Sequence, residues 1–160
     1  MKIDQITLGL TTVAFSKNKE LLEKLYHVGF KKVIINEKQK RFSKTELIEF
    51  LSDCDAAIVG LDKISQEVLS KTPKLKVISK YGVGLDNIDF QACKKYKVEV
   101  LHSQGVNKRS VSELTLGCML SLSRNIYITS NELKNGNWNK SGGFEISNKV
   151  IGIIGIGNIG

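Results

Sequence analysis

Short apolar runs alternate with stretches in which apolar positions recur at helical spacing, and this alternation fills the first part of the chain. Residues 6–10 (Ile-Thr-Leu-Gly-Leu) read as a strand, and residues 18–28 carry Leu21, Leu22, Leu25 and Tyr26 along one side of a helix. Residues 32–36 predict a second strand. Ser43-Lys-Thr-Glu46 has the form of a capping box, in which the serine hydroxyl accepts from a backbone N–H one turn on while the glutamate reaches back. It opens a helix through Leu47 and Phe50. Further strands are expected at 56–60, 75–79 and 98–101, with helices at 65–70 and 87–95 between them. Strands separated by helical segments form βαβ units, so the expected fold class is α/β, a doubly wound parallel sheet with helices on both faces.

The rhythm then changes. Residues 110–135 predict one long helix, with Val111, Leu114, Cys118, Leu122 and Ile126 on one face and Leu116, Met119 and Leu120 around another. A helix apolar over most of its circumference is expected to be buried. After a loop containing Gly136 and Trp138, residues 149–160 read as a buried strand running into Gly155-x-Gly157-x-x-Gly160. This is the glycine pattern that opens a dinucleotide-binding unit: a tight turn, a close backbone approach to the pyrophosphate, and tight packing of the next helix, whose N–H groups bind phosphate. That helix, and the acidic residue expected about 20 residues further on, lie outside the chain. The 160 residues are therefore expected to be the front part of a nucleotide-dependent enzyme, organised as a first domain over 1–105, a linking helix over 106–135 and the start of a cofactor domain over 136–160.

At 160 residues and 41% hydrophobic, the chain can bury one good core. Its three cysteines, Cys54, Cys93 and Cys118, are odd in number and show no paired spacing. This argues against a disulfide framework or a zinc site and for a reducing compartment, with the cytoplasm as default. No apolar run approaches a membrane span, and no cleavage site follows the first residues. The net charge of +8 comes from lysines scattered over many segments, Lys17, Lys31, Lys32, Lys38, Lys40, Lys94 and Lys95 among them, without interleaved aromatics. That distribution describes a solvated surface better than a nucleic-acid platform.

The candidate chemistry lies in Ser79-Lys-Tyr-Gly-Val-Gly-Leu-Asp-Asn-Ile-Asp89, which puts two glycines at the carboxyl end of a strand. Exposed N–H groups in such a turn can take an anion. Asp86 and Asp89 suit the start of the following helix by capping and dipole alone, and Asn87 is expected at that start.

With these segments in order, the chain resembles the D-isomer-specific 2-hydroxyacid dehydrogenases, and within them the phosphoglycerate dehydrogenases. The resemblance rests on residues 82–89, on Asn107-Lys-Arg-Ser-Val-Ser-Glu-Leu-Thr-Leu-Gly117 with Ser123-Arg124, on Gly136-x-Trp138 and on residues 150–160. It implies a flavodoxin-like substrate domain followed by the first strand of a Rossmann domain, and NAD as cofactor. It implies that Val83 and Gly84 meet the carboxylate of a D-2-hydroxy acid, with Val83 also close to the nicotinamide, and that Lys80 stands where a cation meets the substrate's phosphate. Asn107 would line the same cleft on the substrate side and Ser110 near the cofactor. Gly155, Gly157, Asn158, Ile159 and Gly160 would lie at the pyrophosphate. The family often has proline where this chain has Gln104, so the loop entering the helix is expected to be set differently. The catalytic arginine, glutamate and histidine of the family fall beyond Gly160, and no metal is implied.

Other residues have plainer readings. His27 and His102 lack a carboxylate partner in sequence, without which a histidine is poorly tuned for proton transfer. Arg124 is expected to serve ion pairs or a helix end, Trp138 to pack a hinge, Cys118 to act as a small hydrophobe, and Glu113 to favour its helix's first turn. Two rival readings stand beside the enzyme: a non-catalytic substrate-domain and dimerisation module, and a flavodoxin-like signalling or FMN-binding domain, which leaves residues after 105 unexplained. The resemblance also implies a homodimer built around the 110–135 helix.

Overall fold

A computed structural model describes residues 2–160, and the chain divides between Gln104 and Gly105 into two compact units. The first unit runs β1 (Thr7–Leu10), α1 (Val13–Ser16), α2 (Lys19–His27), β2 (Lys32–Ile35), α3 (Lys44–Leu51), β3 (Ala56–Val59), α4 (Gln66–Lys71), β4 (Val77–Lys80), α5 (Phe90–Tyr96) and β5 (Glu99–Leu101). The strands form one sheet in the order β2-β1-β3-β4-β5, every pair parallel. All five expected strands are present, with ends shifted by a residue or two. The edges are β2, which begins at exposed Lys32, and β5, only three residues long.

Both faces of the sheet are covered. Ala57 and Val59 of β3 point into a core with Leu47, Leu51, Val68, Leu69 and Ile78, while their neighbours Ala56 and Ile58 pack on the other side against Leu8, Leu10 and Leu25. This is the period-two alternation of a strand buried on two sides. Each fully buried leucine or isoleucine here contributes roughly 1.5–3 kcal/mol through removal of apolar surface from water. Gly9 of β1 is demanded by packing, because a Cβ there would stand 2.8 Å from the Cys54 Sγ.

Side-chain caps start the helices where hydroxyls and amides allow. Asn18 accepts from Leu21 N–H, Ser65 from Val68 N–H, and the Ser43–Glu46 box closes in both directions, at 3.3 and 2.9 Å. The helix expected from residue 87 begins later: Asp89 is its cap, accepting from Ala92 N–H at 2.9 Å, so Asn87 lies outside it.

The second unit corrects the single helix expected over 110–135. It holds two, α6 (Lys108–Ser123) and α7 (Ile126–Lys134), separated by Arg124 and by Asn125, whose φ is 53°. A left-handed residue ends the hydrogen-bond ladder, and asparagine tolerates that conformation better than most residues. The loop 141–144 returns to the break: Phe144 N–H donates to Ser123 O at 2.8 Å, and Arg124 Nε–H donates to Gly142 O at 3.0 Å. Arg124 thus serves a helix end, where one of the two expected roles placed it. Glu113 lies beyond the first turn of α6.

The expected burial is also corrected. Leu114, Leu116, Leu120 and Leu122 are exposed, as are Trp138 and Cys118, since the second unit has no sheet for an apolar helix to cover. Residues 149–160 form no strand. A parallel strand exists only through pairing with a neighbour, and no other segment of this unit offers one among the described residues.

Candidate functional site

At the carboxyl end of the sheet, the loops after β1, β3 and β4 converge. In the order β2-β1-β3-β4-β5 the chain leaves β1 and β3 in opposite directions, and the crevice outside such a switch point is where open α/β sheets place ligands. Thr11 N–H donates to Ile58 O at 3.0 Å, and Thr12 presses against Gly60, where a Cβ would stand 2.9 Å from the Thr12 Cβ. Tyr81, next to β4, anchors by its N–H to Val59 O at 2.9 Å, and its ring meets Phe15 edge-on with centroids 5.3 Å apart.

Lys80 closes β4 and is 8% exposed. Its Nζ donates to Gly60 O and, at 2.7 Å, to Asn87 Oδ1. The ammonium has three N–H donors, so one remains. Asn87 Nδ2 donates in turn to Gly60 O at 3.1 Å and Asp62 O at 2.7 Å. Burial pushes the Lys80 pKa down, and the charges of Asp86 and Asp62 partly oppose this. None of the ion pairs among the described residues includes Lys80.

Gly82, Val83 and Gly84 follow as a turn. Gly82 has φ 129°, a conformation reserved to glycine, and the Lys80 Cε lies 3.8 Å from the position its Cβ would take. Asp86 Oδ1 lies 3.2 Å from the corresponding position at Gly84. The first unit thus brings Lys80, Val83 and Gly84 together. Lys80 is committed to a backbone carbonyl and an amide rather than reaching outward, and its remaining N–H is what it has for an anion. A groove of about 700 Å³ lies elsewhere, along the β2 edge between Tyr26 and Phe50.

The other candidate residues fall in the second unit. Asn107 precedes α6 without a side-chain cap, and Ser110 Oγ–H donates to Asn107 O at 2.9 Å. The glycine loop folds towards this helix start: Ser112 Oγ–H donates to Ile159 O at 3.1 Å, and the Asn158 side chain lies against Gly105. No Cβ could be placed at Gly160, which would meet Gly155 O at 2.6 Å, whereas Gly155 and Gly157 face open space. Gly155 has φ 88°. Bare backbone at Gly155 and Gly157 suits a close approach by pyrophosphate. Asn107, Ser110, Asn158 and Ile159 are thus gathered around the first turn of α6.

The two histidines remain apart from any carboxylate partner. His27 Nδ1–H donates to Glu23 O at 2.7 Å, and His102 is exposed beyond β5. Among the described residues, no group of acidic, histidine and cysteine side chains could hold a metal ion, and no helix is long and apolar enough to cross a membrane. Sequence reading missed Asn87, Gly60 and Asp62 as parts of the site. The only signal was an amide amid acidic residues beside a glycine turn.

Comparison with known proteins bears on the whole arrangement. The chain is 40% identical over 121 residues to D-3-phosphoglycerate dehydrogenase of Methanocaldococcus jannaschii, an alignment covering 74% of this chain and 23% of that protein. It is 36% identical over 124 residues to hydroxypyruvate reductase of Thermotoga maritima, covering 76% and 40%. Among solved structures, that of NAD+-bound 3-phosphoglycerate dehydrogenase from Entamoeba histolytica matches with a TM-score of 0.66 and 34% identity, over 75% of this chain and 40% of the other. The chain thus spans between 23% and 40% of the length of these relatives. The profile of the D-isomer specific 2-hydroxyacid dehydrogenase catalytic domain matches residues 10–156, and the chain belongs to that family.

Proposed function

We propose that this chain is the substrate-binding part, and the beginning of the cofactor-binding part, of an NAD-dependent oxidoreductase of D-2-hydroxy acids. 3-Phosphoglycerate is the first substrate to test, which would place the protein in serine biosynthesis. The observation that carries the reading is the Gly82–Gly84 turn, set at the carboxyl end of β4 with the buried Lys80 side chain lying against Gly82, in a chain matched to the family over 10–156. Residues 1–105 are the substrate domain, 106–135 the linking and pairing segment, and 136–160 the start of the cofactor domain. The N–H groups of Val83 and Gly84 hold the substrate carboxylate, Lys80 lends positive charge to the same anion, and Asn107 borders the substrate. Gly155, Gly157, Asn158, Ile159 and Gly160 hold the pyrophosphate of NAD, with Ser110 nearby and Val83 towards the nicotinamide. When bound, the nicotinamide supplies the hydride acceptor and donor. This chain's own part is to bind and orient.

Two experiments test this. Titration of the ¹⁵N-labelled chain with 3-phosphoglycerate, hydroxypyruvate or D-lactate is expected to shift the amides of Gly82, Val83 and Gly84; absence of any response there refutes the substrate site. The chain alone is expected to show no NAD-dependent oxidation of 3-phosphoglycerate, because neither histidine has a carboxylate partner to orient it. Turnover above a heat-treated control would refute the residue assignment. A homodimer formed through the exposed faces of α6 and α7 completes the proposal.

A further inference from the structure

The turn Gly82–Gly84 is the middle of an arch whose two feet are fixed, and one side chain does most of the fixing. Asn87 makes three hydrogen bonds through a single carboxamide, donating to Gly60 O and Asp62 O and accepting from Lys80 Nζ. Its backbone adds to them: Ile64 N–H donates to Asn87 O at 2.8 Å, and Asp89 N–H donates to Ile64 O at 2.9 Å, so that Ile64 and Ile88 form a parallel bridge. A carboxamide both donates twice and accepts without carrying charge. Aspartate has the same shape but can only accept when ionised, and it would neutralise the lysine. Alanine leaves the carbonyls of Gly60 and Asp62 with fewer donors and Lys80 free to move.

We propose that Asn87 is a positioning residue for the anion-binding turn: its carboxamide ties the end of β4 to the loop after β3 and holds the Lys80 side chain beside Gly82 through a neutral partner rather than an ion pair. This rests on the reading of the turn as the site of the substrate carboxylate. The neutral partner matters because a charge already cancelled by a contacting carboxylate attracts no second anion. Asp62 and Asp86 sit near Lys80 without forming an ion pair with it. Their charges offset part of the lysine's attraction, and what the neutral amide preserves is one N–H of Lys80 with no hydrogen-bond partner among the described residues.

The test compares the unaltered chain with Asn87→Ala and Asn87→Asp by amide exchange and by titration with 3-phosphoglycerate. Exchange at Ile64, Ile88 and Asp89, whose N–H groups donate to Asn87 O, Leu85 O and Ile64 O, is expected to quicken at least tenfold in Asn87→Ala, while the amides of β3 and β4 keep their protection. Affinity is expected to fall at least tenfold in Asn87→Ala and further in Asn87→Asp. That order separates the two roles. A merely structural amide predicts that aspartate, which keeps the contact with Lys80, lies between the unaltered chain and alanine; aspartate binding as well as or better than alanine therefore overturns the proposal. Unchanged exchange at Ile64, Ile88 and Asp89 in both variants overturns it too, whether or not the anion binds. An unaltered chain with no response to the anion at Gly82–Gly84 overturns instead the substrate reading on which the proposal rests.

Discussion

At Gly60 the chain has no room for a methyl group. A Cβ there would approach the Thr12 Cβ at 2.9 Å and its Oγ1 at 3.0 Å, and Thr12 is held by a buried loop. Gly60→Ala is therefore expected to destabilise the first unit by about 1–3 kcal/mol, the usual cost of forcing an extra methyl into a packed site, measured by urea unfolding. The cysteines make a second residue-scale case. Cys54 and Cys93 are buried and Cys118 is exposed; burial pushes the Cys54 thiol up to about 11 and that of Cys93 upward as well. Since the thiolate is the reactive form, an aromatic disulfide reagent at neutral pH is expected to label Cys118 ahead of Cys54 and Cys93, which react only in denaturant. Of the site residues, the glycine turn was legible in sequence because a turn needs glycine locally. Asn87 was not, because its partners Gly60 and Asp62 are distant in sequence and nothing beside it announces them.

Elements were most legible where their signals are local. The Ser43–Glu46 box could be read directly and forms as read. Glu46 also pairs with Lys40 at 2.9 Å, and these hydrogen bonds, that from Lys40 first, lower its pKa from 4.5 to about 2. A carboxylate whose folded pKa is depressed stabilises the folded state above its unfolded pKa, and that contribution is lost as pH falls through the folded value. Acidification from about 4.5 towards 2 is therefore expected to loosen the first turn of α3 before the strands, read by amide exchange at residues 46–48. The long helix over 110–135 was misread because apolar periodicity continues across Arg124 and Asn125. The break comes from one left-handed residue and a returning loop, neither of which alters the pattern. Strand β4 came two residues late, at Val77–Lys80 against 75–79, because pairing with β3 sets its ends.

Across the whole molecule, the fold class followed from strand and helix alternation alone, whereas the burial of α6 did not. Its pattern shows how much apolar surface the helix carries, but not what covers it. Leu114, Leu116, Leu122, Tyr127 and Ile128 are all more than half exposed. Contiguous apolar patches larger than a few hundred Å² seldom stay in water on a monomer, and two-fold pairing is the commonest remedy. Sedimentation equilibrium at micromolar concentration is expected to give twice the 17.8 kDa chain mass, falling towards one chain in Leu120→Glu. A single-chain mass for the unaltered protein refutes the pairing.

The open sides of the sheet carry a different hazard. An unpaired strand edge is a template on which further chains can add, building fibrils. At β2 the apolar run Val33, Ile34, Ile35 is prefaced by Lys31 and by Lys32, which is exposed at the head of the strand; β5 is kept to three residues. Charge at one edge and brevity at the other resist such templating, and Lys32→Val removes the charge while lengthening the apolar run. That variant is expected to form thioflavin-binding aggregates under warming conditions in which the unaltered chain stays clear, with little change in the stability of the fold itself.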